Sequence, residues 1–253
     1  MTAPRPGLCS VTFRRLAPEE IVERAAEARL EVIEWGADEH VRPGDAERAA
    51  QVAQATTAAG LRVCSYGSYF CAGAGEQLTP ILDSAEALGT DRVRLWAGRI
   101  GSAEATPDEY SRIVARLRDA AAEASDRGIG LALEYHGGTL ADTPDAVLRL
   151  LGDVAHPALS TYWQPTVGAP DRTALAEFEA VAARTSAVHV FSWWPRTERV
   201  RLHERAGLWE AVLAAASAPP DPIRDALLEF VPGDDPALLE AEADTLRGWI
   251  ASA

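Results

Sequence analysis

The sequence is poor in the features that mark several classes of protein. It holds three cysteines, Cys9, Cys64 and Cys71, and no CxxC pair. An odd cysteine count in a chain of 253 residues argues against a disulfide framework and favours free thiols in a reducing compartment. No apolar run approaches the about 20 residues needed to cross a bilayer, and residues 1–15 lack the apolar core of a secretory leader. We therefore expect a cytoplasmic protein.

Basic residues are scarce relative to acidic ones. Lys plus Arg number 24 and Asp plus Glu number 38, so the formal net charge is −14. Such a surface repels phosphate backbones and anionic lipid headgroups, so we expect neither nucleic acid nor a membrane as a partner. The glycine-rich phosphate motifs GxGxxG and GxxxxGK(S/T) are also absent, which argues against an open nucleotide-binding sheet.

Two kinds of segment alternate along the chain. Short apolar or β-branched runs predict eight strands, at residues 8–13, 30–35, 61–66, 91–96, 129–135, 158–163, 187–193 and 226–231. Between them, apolar residues three and four apart predict amphipathic helices, among them 18–28, 46–60, 110–128 and 237–250. Thr106-Pro107 and Thr143-Pro144 suit helix starts, and Gly60 and Gly128 suit helix ends. The segment APPDP, 218–222, is predicted to be the loop into the last strand.

Strict alternation of strand and helix indicates a parallel sheet with right-handed crossovers. Eight such repeats in 253 residues match the size of a closed barrel. We therefore predict an α/β protein with one domain, residues 1–253, folded as a single (β/α)8 TIM barrel.

The active site of such a barrel lies at the carboxyl ends of its strands. The predicted strand ends and following loops are rich in aromatic and polar side chains. Those that we expect to contact a substrate are His40, Tyr69, Arg94, Trp96, His136, Trp163 and Trp193. Aromatic walls with a few converging polar groups suit a small, hydroxyl-rich molecule. The acidic loop PGDD after strand eight favours an unphosphorylated one.

Strands five to eight end in two carboxylates, one carboxamide and one imidazole, which belong to Glu134, Gln164, His189 and Glu229. Hard oxygen donors with one nitrogen suit Mn²⁺, Mg²⁺, Co²⁺ or Zn²⁺. Each residue also has a plainer interpretation. A glutamate at a strand end can pair with an arginine, and a histidine inside an apolar strand is usually part of the core.

The segments LALEYHGGTL, STYWQP, AVHVFSWW and LLEFVPGDDP resemble the strand ends of xylose-isomerase-like TIM barrels. That superfamily contains sugar isomerases, ketose 3-epimerases, inosose dehydratases and apurinic-site endonucleases. The resemblance covers nearly the whole chain and implies a divalent metal held by one residue from each of strands five to eight. By position these are Glu134, Gln164, His189 and Glu229. In the family's epimerases the two glutamates also exchange protons with the substrate, which implies catalytic roles for Glu134 and Glu229.

The chain departs from the family pattern near these strand ends. Gln164 stands where the family has aspartate, which removes one negative charge and weakens the expected metal site. Val167 stands where a histidine often follows that aspartate, and Phe191 and Ser192 replace a common Lys-Asp pair. These departures leave metal occupancy open.

Three functions stay open at this point. The first is a sugar isomerase or epimerase, in which a metal polarises a carbonyl and the two glutamates transfer the neighbouring proton. The second shares this enolisation but ends in elimination, as in a dehydratase or a lyase that splits a C-glycoside. The third is a metal-poor barrel that binds a sugar, or serves as a partner subunit, without turnover. The hydrophobic C-terminal helix with Trp249 is compatible with a homodimer and equally with a monomer.

Overall fold

A computed structural model of the chain describes residues 3–73, 75–217 and 223–253. Eight parallel strands close into a barrel in chain order, and the first strand pairs with the eighth. The strands are β1 (Arg5–Cys9), β2 (Val32–Gly36), β3 (Arg62–Gly67), β4 (Arg92–Leu95), β5 (Gly130–Glu134), β6 (Leu159–Trp163), β7 (Thr185–Val190) and β8 (Asp225–Leu228). The predicted TIM barrel is confirmed.

An α-helix follows each strand in the described parts of the chain. The helices are α1 (Pro18–Glu27), α2 (Ala46–Ala58), α3 (Thr79–Leu88), α4 (Pro107–Asp126), α5 (Pro144–Val154), α6 (Asp171–Val181), α7 (Ala206–Ala216) and α8 (Leu239–Ser252). The predicted caps are confirmed: the Thr106 hydroxyl accepts a hydrogen bond from the N–H of Glu109, and that of Thr143 from the N–H of Ala146. The fourth helix begins at Pro107, as the Thr106-Pro107 pair predicts, and three residues before the apolar pattern at 110–128.

Three strands stop three or four residues before the ends of the apolar runs that predicted them. β1 ends at Cys9, and Ser10–Phe13 form a buried 3-10 turn. In this turn the Ser10 hydroxyl accepts a hydrogen bond from the N–H of Gly36 at 2.8 Å. The runs at 187–193 and 226–231 likewise leave their strands after Val190 and Leu228. Segments that fold over the barrel end stay buried, so an apolar run does not mark where a strand stops.

Apolar side chains form two layers. The larger lies between the strands and the helices, and the smaller fills the barrel. Side chains alternate between the two faces of a strand, so Tyr162 belongs to the inner layer and Trp163 to the outer one. The ring of Trp163 packs against Phe178 of α6 and Trp209 of α7, with ring centroids 5.1 and 6.1 Å apart.

The amino end of the barrel is closed by a buried ion-pair cluster. Asp225, at the start of β8, lies between Arg5 and Arg92, and its carboxylate is excluded from solvent. Arg92 also donates to the carbonyl oxygens of Cys64 (3.4 Å) and Ser186 (3.1 Å). This closure leaves the carboxyl end as the side on which a substrate can enter.

The three cysteines are buried and form no disulfide, as predicted. The segment APPDP, 218–222, lies outside the described residues. Within the described ranges, no helix has the length and apolarity required to cross a bilayer.

Candidate active site

The carboxyl ends of the strands surround a cavity of about 230 Å³. It is lined by Val11, Arg14, Tyr69, Arg94, Trp96, Glu134, His136, Gln164, Val167, Phe191, Trp193, Glu229 and Phe230. A larger hollow of about 670 Å³ lies outside the barrel beside α4, but none of its charged side chains is buried. Buried, converging polar groups are typical of a functional pocket, so we treat the cavity at the strand ends as the candidate site.

The imidazole of His189 lies directly beneath this cavity and is fully buried. Its Nδ1 atom lies 3.2 Å from Gln164 Oε1, 3.4 Å from Glu229 Oε2 and 3.9 Å from Glu134 Oε1. Strands β5 to β8 are neighbours in the barrel, so residues at their carboxyl ends converge although they are 25 to 40 positions apart in the chain. The structure thus brings together the four residues predicted as metal ligands.

These distances can be compared with those of a metal site. Two ligand atoms that each lie about 2.1 Å from one ion are about 3 Å apart at a right angle and about 4.2 Å apart on opposite sides. The three separations from His189 Nδ1 fall within that range. Each of Glu134, Gln164 and Glu229 is thus near enough to share an ion with His189. Among the described residues, however, only Cys9, Glu34 and His189 bring three His, Cys, Asp or Glu donor atoms within 4.8 Å of one another, so a metal held by Glu134, Gln164, His189 and Glu229 stays a prediction.

The charge of the site favours a cation. Three buried carboxylates, those of Glu34, Glu134 and Glu229, face one buried guanidinium, that of Arg94. Burial alone would lower the pKa of His189, but the carboxylates, Glu229 foremost, raise it further than burial lowers it. The imidazole can thus hold a proton among these acids, and a metal ion would have to displace it. A divalent ion would neutralise the excess negative charge, since unpaired buried carboxylates are costly.

The two predicted catalytic glutamates have different surroundings. Glu134 Oε2 accepts a hydrogen bond from Trp96 Nε1 at 2.6 Å and is paired with Arg94. Burial raises the pKa of Glu134, but the charges of Arg94, His189 and His136 and the Trp96 hydrogen bond lower it below its usual value. Burial also raises the pKa of Glu229. The attraction of His189 lowers it by less, so the pKa of Glu229 stays above its usual value. Glu134 is thus held as an anion, while Glu229 is the carboxyl that more readily takes up a proton.

A second group of possible ligands, which sequence reasoning did not assign, lies deeper in the barrel. One donor atom each from Cys9, Glu34 and His189 lie within 4.8 Å of one another. Burial, with the nearby Glu34 and Glu229, raises the pKa of the Cys9 thiol well above its usual value, and only the thiolate binds metal strongly. We therefore favour the group nearer the cavity. The sequence signal for this group was an acidic residue, Glu34, near the end of the apolar run LEVIEW at 30–35.

The rim of the cavity has a polar half and an aromatic half. In the polar half, His136 stacks on Trp96 with ring centroids 4.6 Å apart, and the Tyr69 hydroxyl donates to Asp38 at 3.1 Å. The aromatic half contains Phe191, Trp193 and Phe230, whose ring centroids lie 5.1 to 6.0 Å apart. The cavity therefore offers hydrogen bonds on one side and stacking surfaces on the other.

Two of the predicted substrate contacts do not reach the cavity. His40 is buried beside Trp35, and its Nδ1 lies 2.9 Å from the Ser10 hydroxyl. Trp163 points outward into the helix layer. Both follow or end a strand, but the direction of the side chain depends on the register and on the loop path. The structure gives both residues packing roles.

Comparison with known proteins agrees with this architecture. Residues 22–216 match the protein family described as xylose isomerase-like TIM barrel. A curated relative, a 3-dehydroshikimate dehydratase of Bacillus anthracis, is 27% identical over 164 residues, which span 60% of this chain and 59% of that protein.

Two solved structures illustrate the shared fold. The probable 3-DHS dehydratase AsbF, involved in petrobactin synthesis in Bacillus anthracis, superposes with a TM-score of 0.79 at 21% identity and covers 96% of this chain and 98% of its own. An L-ribulose 3-epimerase superposes with a TM-score of 0.69 at 18% identity, covering 98% of this chain and 94% of its own. The match over residues 22–216 settles the family: the chain belongs to the xylose isomerase-like TIM barrels.

Proposed function

We propose that this protein is an enzyme that transfers a proton next to the carbonyl of a small, unphosphorylated sugar or polyol, as an isomerase or epimerase. One observation carries the proposal. Glu134 and Glu229 reach the cavity from the ends of β5 and β8 and approach the same nitrogen of His189, together with the Gln164 carboxamide. Two carboxyl groups in different electrostatic surroundings at one cavity suit proton transfer.

A divalent ion held by Glu134, Gln164, His189 and Glu229 would supply Lewis-acid polarisation of the substrate carbonyl. Glu229 removes the proton from the adjacent carbon, so the C–H bond breaks, the proton passes to a carboxylate oxygen and the electron pair forms an enolate. Glu134, anchored by Arg94 and Trp96, takes up a proton from solvent water and delivers it to the opposite face of the enolate in an epimerisation, while Glu229 releases its proton to solvent. His136 and Tyr69 line the cavity and are placed to bind substrate hydroxyls.

The size and charge of the cavity support a small substrate. Its volume of about 230 Å³ is below the about 300–1,000 Å³ of pockets for drug-sized ligands, which favours a monosaccharide over an aryl glycoside. Asp234 and Asp235 follow β8, where many barrels bind phosphate, and disfavour a phosphorylated substrate. The chain contains no lysine, so a Schiff base between a lysine and the carbonyl is excluded.

A dehydratase is the second candidate. The curated relative at 27% identity carries that activity in its name. A dehydratase can use the same first step: after Glu229 takes the proton, the enolate re-forms the carbonyl and expels the hydroxyl from the next carbon, and the protonated Glu229 gives its proton to that hydroxyl, which leaves as water. The aromatic half of the cavity would then face the flat, unsaturated product.

Solvent exchange distinguishes these functions. The protein, supplied in turn with Mn²⁺, Mg²⁺, Co²⁺ and Zn²⁺, would be incubated in D₂O with a panel of ketoses and cyclic β-hydroxy ketones. Deuterium in the carbon next to the carbonyl, together with an epimer or isomer, is the expected result. Exchange followed by water loss, measured as a new absorbing double bond, would select the dehydratase. Absence of exchange with every metal would contradict both and leave a non-catalytic sugar-binding barrel.

Restoring a charge at position 164 should strengthen metal binding. Gln164→Asp and the isosteric Gln164→Glu each place a carboxylate where the Gln164 carboxamide oxygen now lies 3.2 Å from His189 Nδ1 or one methylene short of it, and affinity for hard cations rises with the charge of the ligand set. We expect the Kd for Mn²⁺, measured by titration calorimetry, to fall by about tenfold or more, or about 1.4 kcal/mol.

Gln54→Glu is the matched control, because it adds the same charge to the exposed surface of α2. It should leave the Kd unchanged. An unchanged Kd in both position-164 variants would show that this side chain is not a ligand.

A further inference from the structure

We infer that Glu34 is a positioning residue that orients both His189 and Arg94, and thereby fixes which ring nitrogen of His189 faces the cavity. The inference rests on the proposed function, in which His189 Nδ1 is a ligand. Glu34 does not line the cavity and is 1% exposed, so it acts through other residues rather than on a substrate.

A carboxylate inside the apolar strand β2 needs partners, since a buried unpaired charge is costly. Glu34 Oε1 accepts a hydrogen bond from Arg94 Nε at 2.9 Å, and Oε2 accepts one from the Ser65 hydroxyl at 2.7 Å. Ser65 and Arg94 belong to β3 and β4, the next strands around the barrel. The carboxylate is thus held in one orientation, with Oε1 towards the barrel axis.

His189 reaches the same oxygen from the other side of the barrel. Its Nε2 lies 3.5 Å from Glu34 Oε1, which is longer than an ordinary N–H···O hydrogen bond. Among the described residues this buried nitrogen has no hydrogen-bond partner, and Glu34 Oε1 at 3.5 Å is the carboxylate oxygen beside it that can accept a proton carried on Nε2. A neutral imidazole carries its proton on one nitrogen and offers the other as acceptor or ligand. A proton directed to Glu34 would leave the Nδ1 lone pair free for a metal ion, whereas without an ion Nδ1–H can itself donate to Gln164 Oε1 at 3.2 Å.

The same carboxylate fixes the cation that holds Glu134. Arg94 uses Nε for Glu34 and Nη1 for Glu134, so its guanidinium bridges the buried acid and the acid at the cavity. Space for this bridge depends on Gly67 at the end of β3. A Cβ atom there would lie 2.6 Å from Arg94 Nη2 and 2.9 Å from Glu34 Oε1, closer than Cβ contacts allow.

Glu34→Gln tests the inference without activity as a readout. In the metal-free protein, ¹⁵N-edited NMR of the His189 ring, at a pH at which the ring is neutral, reports which nitrogen carries the proton. Because Nδ1–H can donate to Gln164 Oε1, we expect both forms in the wild type and a smaller Nε2-protonated fraction in Glu34→Gln. We also expect the Kd for Mn²⁺ to rise by about 10–100-fold, the usual effect of losing a residue that orients a ligand. Glu31→Gln makes the same change at a half-exposed position three residues earlier. It should alter neither the protonation of the His189 ring nor the Kd for Mn²⁺.

Gly67→Ala is the second variant, for use if Glu34→Gln does not fold. It displaces Arg94 and Glu34 while every charge remains. It should therefore lower the Nε2-protonated fraction of the His189 ring and the affinity for Mn²⁺ in the same way. An unchanged ring signal and an unchanged Kd in both variants would overturn the inference. Loss of Mn²⁺ binding in Cys9→Ser would also overturn it, because Glu34 would then be a ligand of the deeper group.

The inference and the proposed function fail in different ways. If wild-type protein exchanges deuterium but Glu34→Gln keeps the wild-type Nε2-protonated fraction of His189 and the wild-type Mn²⁺ affinity, only the inference is wrong. If wild-type protein shows no exchange while the Nε2-protonated fraction of His189 depends on Glu34, the proposed function is wrong and the positioning role stands.

Discussion

Replacement of Glu229 by glutamine is expected to slow deuterium exchange into the substrate by about 10²–10⁴-fold, the usual contribution of a general acid or base. The substitution preserves the shape of the side chain but removes its capacity to take up a proton. Glu229 lines the cavity, and its Oε2 lies 3.4 Å from His189 Nδ1. The rate of solvent exchange into the accepted ketose, followed by NMR at saturating Mn²⁺, measures the effect.

Glu240→Gln is the matched control, because Glu240 is exposed in α8 and remote from the cavity lining. It should exchange deuterium at the wild-type rate. If Glu229→Gln also exchanged at that rate, with bound metal and fold intact, Glu229 would not be the base. The role would then pass to Glu134, which Arg94 and Trp96 hold as an anion.

Asp225→Asn is expected to lower the free energy of unfolding by about 3–5 kcal/mol, the usual cost of removing one partner of a buried ion pair. The carboxylate of Asp225 is fully buried between Arg5 and Arg92 at the amino end of the barrel. Arg92 is itself buried and lies 5.0 Å from the centre of the Tyr162 ring. The variant would leave this guanidinium without its carboxylate partner in the core. Urea unfolding followed by circular dichroism gives the free energy.

Asp91→Asn provides the comparison for that measurement. Asp91 pairs with Arg224 at 3.0 Å, but its side chain is 57% exposed, and exposed pairs contribute about 0–1 kcal/mol. We expect a change within that range. A loss below about 1 kcal/mol in Asp225→Asn would mean that the barrel end admits enough water to solvate Arg92.

The order of strands and helices was predictable because of the way a parallel barrel is built. Its strands are covered on both faces, so each appears in the sequence as a short continuous apolar run. The helices between them have one apolar face and recognisable caps, such as Thr106 and Thr143. The end of β1 was not predictable, because Ser10–Phe13 are as buried in their turn as they would be in a strand.

The candidate site was predictable to the extent that it depends on strand ends. Glu134, Gln164 and Glu229 end or directly follow a strand, His189 is one residue from the end of β7, and barrel closure places all such residues at one rim. Their approach to within 3.9 Å of one nitrogen required the structure. Their role as metal ligands remains a prediction.

The sequence by itself determined the eightfold alternation, the direction of the strands and the residues at their carboxyl ends, because local periodicity and capping specify these. The tertiary structure alone decided the partners: Glu34 with Arg94 and His189, His40 with Ser10, and Trp163 with the outer helices. These contacts join residues that lie 15 to 155 positions apart. They depend on strand register and on the inward or outward direction of each side chain, and a single sequence does not encode either locally.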